Sequence, residues 1–461
     1  MKVIKSIIGR TDYLIWITLV VSYLSLSKIF YEFFSLPRRL LLVWGAILLV
    51  REVFFRRSVL KNKYTILLLL FCFSNAITTA YNFPDRFVYG IVTEGYVCMF
   101  LLVFFITSMN NRQMDNQKFI NKIFWIHIIL SLVFAIVGLL CFIFNLSFSY
   151  ENAGLELYFG LKDNRLWGFY NPNTGGSVCV ISLVFSFILL KQTEKWRKLL
   201  YTNIVLQYLY MILTQSRSAW YVFLGIVVLY SVFVIILPVI KKRESINEKL
   251  KKVALNVLII LLICVSPTVI KKTIVIFPNT IIEVQNMLSD QDSSKGSLSL
   301  NRLDEEKIRE QDGTNGRGEL WEAGFKIFKE SPVLGVGSEN IVNRGEKYLS
   351  ESRFENLEKG GLHNSYLMIL VGSGIVGFSI MFVFFLFIVI EGFKNLIICR
   401  NRNNALLIIL VFGMLANELM EARLIYNSSY LNIIFWILAG TIVGSYYTKN
   451  KEKGGKVPAV N

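Results

Sequence analysis

Residues 119–145, FINKIFWIHIILSLVFAIVGLLCFIFN, carry no charged side chain after Lys122. As a helix this run covers the hydrocarbon core of a bilayer, which takes about 20 apolar residues. Lipid offers the backbone no hydrogen-bond partners, so a span of this kind satisfies its own and is helical. Working outward, the same pattern recurs at 12–34, 39–55, 64–80 and 87–108 before it. After it come 175–190, 199–214, 218–240, 253–270, 364–390, 405–422 and 428–447. The expected fold is an all-α polytopic membrane protein with about 12 transmembrane helices. One large, mainly helical extracytoplasmic loop is expected between helices 9 and 10. The implied organisation is 1–270 for helices 1–9, 271–362 for the loop, 363–447 for helices 10–12 and 448–461 for a cytoplasmic tail.

Composition agrees with a lipid environment. Of 461 residues, 54% are hydrophobic and 18% charged, too apolar a balance for an ordinary soluble domain. A formal charge of +17 would point to nucleic acid only if the basic residues formed a soluble face. They sit instead in short segments between apolar runs, so no nucleic-acid partner is expected and membrane lipid is. Clusters such as Arg51/Arg56/Arg57/Lys61/Lys63, Lys191/Lys195/Arg197/Lys198 and Lys241/Lys242/Arg243/Lys249/Lys251/Lys252 fall on one side of the threaded chain, with both tails. The other side holds scattered Arg38, Arg39, Arg86, Lys162, Arg165, Arg217 and Arg423. The positive-inside bias therefore places both termini in the cytoplasm and 146–174 and 271–362 outside. Lys2, Lys5 and Arg10 precede the first apolar run, which lacks a small-residue cleavage site and reads as a retained helix. The six cysteines show no C-x-x-C spacing, so neither a disulfide framework nor a zinc site is inferred from them.

Charged or titratable groups beside the membrane are the candidates for chemistry. Arg217 lies in TQSRSAW, a tight outer turn between the seventh and eighth spans. Arg317 opens GRGELWEAGFKIFKESPVLGVGS, three and four positions before Leu320 and Trp321. There Leu320, Trp321, Gly324, Ile327 and Phe328 fall on one helical face, with Thr314 or Asn315 as the N-cap. His363, in GGLHNSYL, stands where the loop returns to the membrane. Arginine forks hold phosphate oxygens by paired hydrogen bonds, and a histidine can serve as general base. Interface anchors and a structural histidine are the alternatives. Glu418 and Glu421 share a face near the outer end of the eleventh span; either a salt bridge to Arg217 or Arg423, or a second base, would use them. Arg165 and Asn173, in RLWGFYNPNTGG, precede the sixth span, where Asn173 binds substrate or caps the helix. His127 reads as a buried, hydrogen-bonded histidine, and Glu94 as an intramembrane carboxylate facing protein or water. Asp290 and Asp292 form a D-x-D in a Ser/Gly-rich stretch that reads as a solvated loop, so no metal site is expected.

The ordered set GFYNPNTGG, LTQSRSAW, GRGELWEAGFKIFKESPVLGVGS and HNSYLMILVGSGIVG resembles the O-antigen ligase and polymerase superfamily of bacterial membrane glycosyltransferases. It covers roughly the second two-thirds of the chain. The resemblance implies transfer of a glycan from an undecaprenyl-diphosphate carrier to an acceptor hydroxyl, with inversion and without metal or other cofactor. It matches Arg217 and Arg317 to the family's diphosphate-associated arginines and His363 to its proposed catalytic base. Arg165, Asn173, Glu418 and Glu421 are further candidates for substrate binding. Expected partners are the lipid-linked glycan donor, a glycan acceptor and other polysaccharide-assembly proteins, at a bacterial plasma (inner) membrane. A polymerase of capsular, exopolysaccharide or O-antigen repeat units is favoured, with an O-antigen ligase as the near alternative. A flippase of lipid-linked oligosaccharide is the alternative from another class, against which stands the absence of an internal repeat.

Overall fold

The computed structural model describes residues 10–55, 62–109, 116–152, 155–241, 245–288, 298, 300, 316–399, 402–426 and 429–452. Among them six helices are long and apolar enough to cross a membrane: Lys63–Tyr81, Phe87–Met109, Gln117–Ile143, Pro172–Leu190, Asn247–Met287 and Ser365–Leu396. Shorter apolar helices occupy Thr11–Leu24, Arg217–Phe233, Asn403–Asn417 and Tyr430–Gly444. Two further expected spans, 39–55 and 199–214, are helical within Ser35–Phe55 and Arg197–Thr214 but more polar. The first carries Arg38, Arg39 and Arg51. The second buries Asn203 and Gln207, which bond to each other and to Ser182 and Ser186.

The chain divides into two compact units. One comprises Met1–Tyr23, Phe34–Phe119 and Gln311–Asn461, and the other Leu24–Phe33 and Ile120–Glu310. In the first unit the Tyr430–Glu452 helix is the central element, its Trp436 fully buried against Phe105, Phe384 and Phe385. A helix without water on any side reads apolar all round, as this one does from Tyr430 to Val443.

The segment Arg317–Gly360 of this unit folds on an apolar cluster of Leu320, Ile327, Val336, Ile341, Leu357, Leu362, Leu367 and Val371. The expected face of the Arg317–Glu330 helix is the one it buries, with Trp321 and Phe328 at the margin and Gly324 against Leu362 and Leu367. The exit PVLGVG then pairs with a break in the Ser365–Cys399 helix. At Gly374 that helix leaves helical geometry (φ 64°, ψ −172°). Val336 and Gly337 donate to the carbonyls of Val371 and Gly372 (3.0 Å each), and Ile375 donates to Pro332 (2.9 Å). The backbone groups freed by the break are thus satisfied by the loop. A β-carbon at Gly335 (φ 81°) would overlap the Gly372 carbonyl, so the backbones meet this closely only without a side chain.

The second unit adds one small β element to an otherwise helical architecture. Residues 148–167 form a three-stranded antiparallel sheet, β1 Phe148–Asn152, β2 Leu155–Lys162 and β3 Arg165–Trp167, in the order β1-β2-β3. Asp163 and Asn164, at φ 53° and 54°, make the two-residue turn that joins β2 to β3 and pairs Lys162 with Arg165. Asp and Asn tolerate this left-handed backbone, the geometry a tight hairpin demands. Phe148 stacks on Phe159 at 4.5 Å. The membrane helix expected to end at 270 runs to Ile274 and is followed directly by Ile276–Leu288. Asp290 and Asp292 lie outside the described residues.

Candidate functional site

Within the first unit, three of the residues singled out from sequence meet at one carboxylate. Glu421 Oε2 lies 2.9 Å from Arg423 Nη2, Oε1 lies 3.4 Å from Arg317 Nη2, and Oε2 is 3.9 Å from His363 Nδ1. The Glu421 side chain is 5% exposed, that of Arg317 18% and that of His363 25%. The group is therefore sheltered from water at the carboxylate and open at the histidine. Burial alone would raise the Glu421 carboxyl, but Arg423, His363 and Arg317 overcome it and hold the group down at about 2. It stays anionic across the physiological range.

Each side chain is positioned by local chemistry. Arg317 opens its helix behind Gly316, which is in the left-handed region (φ 75°) and serves as N-cap. The expected caps, Thr314 and Asn315, lie outside the described residues, and the helix starts too late for either to fill that position. The GGLHN turn is fixed from both sides. Trp321 Nε1 donates to the Leu362 carbonyl (3.0 Å), and Asn364 Oδ1 caps the following helix by accepting from Leu367 N–H (3.0 Å). His363 itself has φ 48°, and its ring lies where a β-carbon on Gly360 would be. Gly360 thereby leaves room for the imidazole. His363 Nδ1 is buried without a hydrogen-bond partner among the described residues.

Glu418 and Glu421 do not share a helical face. The Arg402–Asn417 helix ends before them, and both stand in the loop that follows. Their separation in environment explains their different character. Glu418 is fully enclosed; its Oε2 accepts from Ser365 Oγ and from Arg423 N–H (2.8 Å), and burial raises it to about 7 against the pull of Arg423. The Ser365 N–H donates to the carbonyls of both Glu418 and Glu421 (2.9 Å each), which ties this loop to the residue two after His363. Sequence reasoning weighed Arg423 only as a salt-bridge partner. Its backbone bond to Glu418 and side-chain bond to Glu421 make it the clamp between the two carboxylates.

The two carboxylates give opposite pH linkages. Glu421, depressed in the fold, contributes stability above its ordinary value of 4.5 that is lost as pH falls through about 2. Glu418, raised in the fold, contributes stability that is complete below 4.5 and lost as pH rises through about 7. The wild-type chain is therefore expected to lose up to roughly 3 kcal/mol from this group between acid and mildly alkaline pH. Glu418→Gln, which keeps shape and stays neutral, should flatten that slope in thermal unfolding of the purified protein. Parallel pH profiles for the two proteins would refute the assignment.

In the second unit, Arg217 is exposed at the first position of the Arg217–Lys241 helix, where Ser216 Oγ accepts from Ala219 N–H (3.4 Å). Gln215 (φ 49°) makes the tight turn expected from sequence, and Lys271 donates to its side chain (3.1 Å). Arg165 and Asn173 are engaged with each other: Arg165 Nη2 donates to Asn173 Oδ1 (2.6 Å) and Nε to the Thr214 carbonyl (2.9 Å). Asn173 is not the helix cap. Asn171 caps Pro172–Leu190 by accepting from Thr174 N–H, with Pro172 at the first turn, which moves the helix start upstream. His127 is buried and bonded to the Val178 carbonyl (3.1 Å), as expected of a structural histidine.

The family model described as O-antigen ligase matches residues 202–382, a stretch that holds Arg217, Arg317 and His363. Glu418, Glu421 and Arg423 lie beyond it. No curated protein matches the chain.

Proposed function

We propose that the chain, whose residues 202–382 match the O-antigen ligase family model, is an inverting glycosyltransferase of the O-antigen ligase and polymerase superfamily using undecaprenyl-diphosphate-linked oligosaccharide. It acts at the outer face of a bacterial plasma membrane, both termini cytoplasmic, and joins repeat units of a capsular, exopolysaccharide or O-antigen chain. The observation that carries this reading is the half-open His363 beside a buried carboxylate that also holds Arg317. The acceptor hydroxyl oxygen forms a bond to the anomeric carbon as the bond to the diphosphate oxygen breaks. The hydroxyl proton passes to His363 Nε2, the ring nitrogen turned away from Glu421. Charge gathering on the departing lipid diphosphate is met by Arg317 and, on the family resemblance, by Arg217. Glu421 Oε2, 3.9 Å from Nδ1, places a negative charge beside the imidazolium that forms, and it balances Arg317 and Arg423. No metal is needed at the diphosphate, because arginine forks fill that role.

A flippase would use a broken helix to line its path. Here the break at Gly374 is filled by Pro332–Gly337, which favours the enzyme. Lipid intermediates in a deletion strain separate the readings: single repeat units in the outer leaflet are expected. Finished lipid-linked chains would mark a ligase instead, and units retained in the inner leaflet a flippase. The orientation is checked with Lys249→Cys and Glu305→Cys in a chain otherwise free of cysteine. A membrane-impermeant thiol reagent should label position 305 in cells with an accessible outer face; labelling at 249 alone would overturn the topology and the mechanism.

A further inference from the structure

Two helices of the first unit bring together three groups that the glycosyl-transfer reading leaves unused. Glu94 and Cys98 lie four residues apart on the Phe87–Cys98 helix and so share a face. Cys72 faces them from Lys63–Tyr81. Cys72 Sγ, Cys98 Sγ and a Glu94 carboxylate oxygen all lie within 4.8 Å of one another, and Cys98 Sγ is 3.4 Å from Glu94 Oε1. Sequence spacing gave no hint of this, since the cysteines stand on separate helices and only packing makes them neighbours.

We propose that Cys72, Glu94 and Cys98 form a binding site for a divalent cation of the zinc class. Two sulfurs and one carboxylate oxygen are three ligands of a tetrahedral site, with bonds of about 2.3 Å to sulfur and 2.0–2.2 Å to oxygen. Those bonds set ligand separations near 3.5–3.8 Å, so side-chain shifts of about an ångström close the present cluster on an ion. The donor set selects zinc or cadmium over magnesium or calcium, which prefer oxygen alone. A carboxylate among apolar helices is costly without a counter-charge, and a bound cation supplies one. Two features of the surroundings favour a ligand here. The helix widens to a π-helix over Met99–Phe105 directly after Cys98, a distortion frequent at functional sites. Glu339 Oε1, buried without a hydrogen-bond partner among the described residues, lies against Gly90, one turn before Glu94. It provides a second negative group on the approach. Binding displaces both thiol protons, and any carboxyl proton, to solvent, so affinity falls as pH is lowered. The bound ion would clasp the Lys63–Tyr81 helix, which packs on the helix following His363, to its neighbour.

The test uses the full chain purified in detergent under reducing conditions, with Cys141, Cys179, Cys264 and Cys399 replaced by serine. Cadmium titration followed by thiolate-to-metal charge-transfer absorption, and zinc competition against a chromophoric chelator, should each give one ion per chain. Cys72→Ser or Cys98→Ser should abolish the absorption band and that equivalent, and Glu94→Gln should weaken binding roughly tenfold. Should the four-serine chain not fold, Cys72→Ser and Cys98→Ser in the native chain are each expected to lose one equivalent. Unchanged stoichiometry in those variants would overturn the proposal. So would a Cys72–Cys98 disulfide in the isolated protein, detected by mass spectrometry without reductant.

Discussion

His363→Ala is expected to abolish polymer formation while the protein reaches the membrane at normal level and still binds its lipid-linked donor. A positioned general base contributes roughly 10²–10⁴-fold, and its effect is confined to the transition state, so donor binding should barely change. The substitution is also mild for the fold. The imidazole is a quarter exposed, its Nδ1 makes no hydrogen bond among the described residues, and the turn is held by Trp321 and Asn364 on either side. Because His363 has φ 48°, alanine there adds a small backbone penalty, and asparagine, which tolerates this region, is the better control. His363→Asn should be as inactive as alanine and as stable as the parent. An active, well-expressed His363→Asn protein would remove histidine from the mechanism.

The second large effect is expected at the Glu421 hub, and it should differ in kind from its arginine partners. Glu421→Gln leaves Arg423 and Arg317 beside a neutral amide in a sheltered setting, a loss of the sort that costs about 3–5 kcal/mol when one member of a buried pair is removed. Both unfolding temperature and turnover should drop. Arg317→Lys keeps the charge beside Glu421 but lacks the planar fork. Its stability should therefore hold while turnover falls by roughly the 1.5–3 kcal/mol of a charge-assisted hydrogen bond. Arg217→Lys, exposed at its helix start, should show the same split, and alanine at either position should be worse. If the arginines are only structural anchors, lysine at 317 will be fully active. A chain that turns over only after Mg²⁺ or Mn²⁺ is added would likewise show that forks do not carry the diphosphate charge.

The sequence by itself determined the apolar, mainly helical character of the chain and the face that Arg317–Glu330 buries. Hydrophobic runs and helical periodicity are local properties, written at fixed spacings. It also picked out Arg217, Arg317 and His363, because charge beside a membrane is conspicuous in an apolar chain. The hairpin turn at Asp163 and Asn164 is equally local, but its two residues sit between long apolar runs whose helical pattern dominates the sequence. Only the tertiary structure decided what the candidates touch. Glu421 stands 104 positions from Arg317, and its partnership depends on the loop after Asn417 being tied back to Ser365. That tie gives two carboxylates three residues apart opposite characters, one held down by arginines and one raised by burial. The same holds for the break at Gly374, whose hydrogen bonds come from Pro332–Gly337, and for Cys72 meeting Cys98. Contacts of this kind depend on how helices pack, and packing distance is not encoded in spacing along the chain.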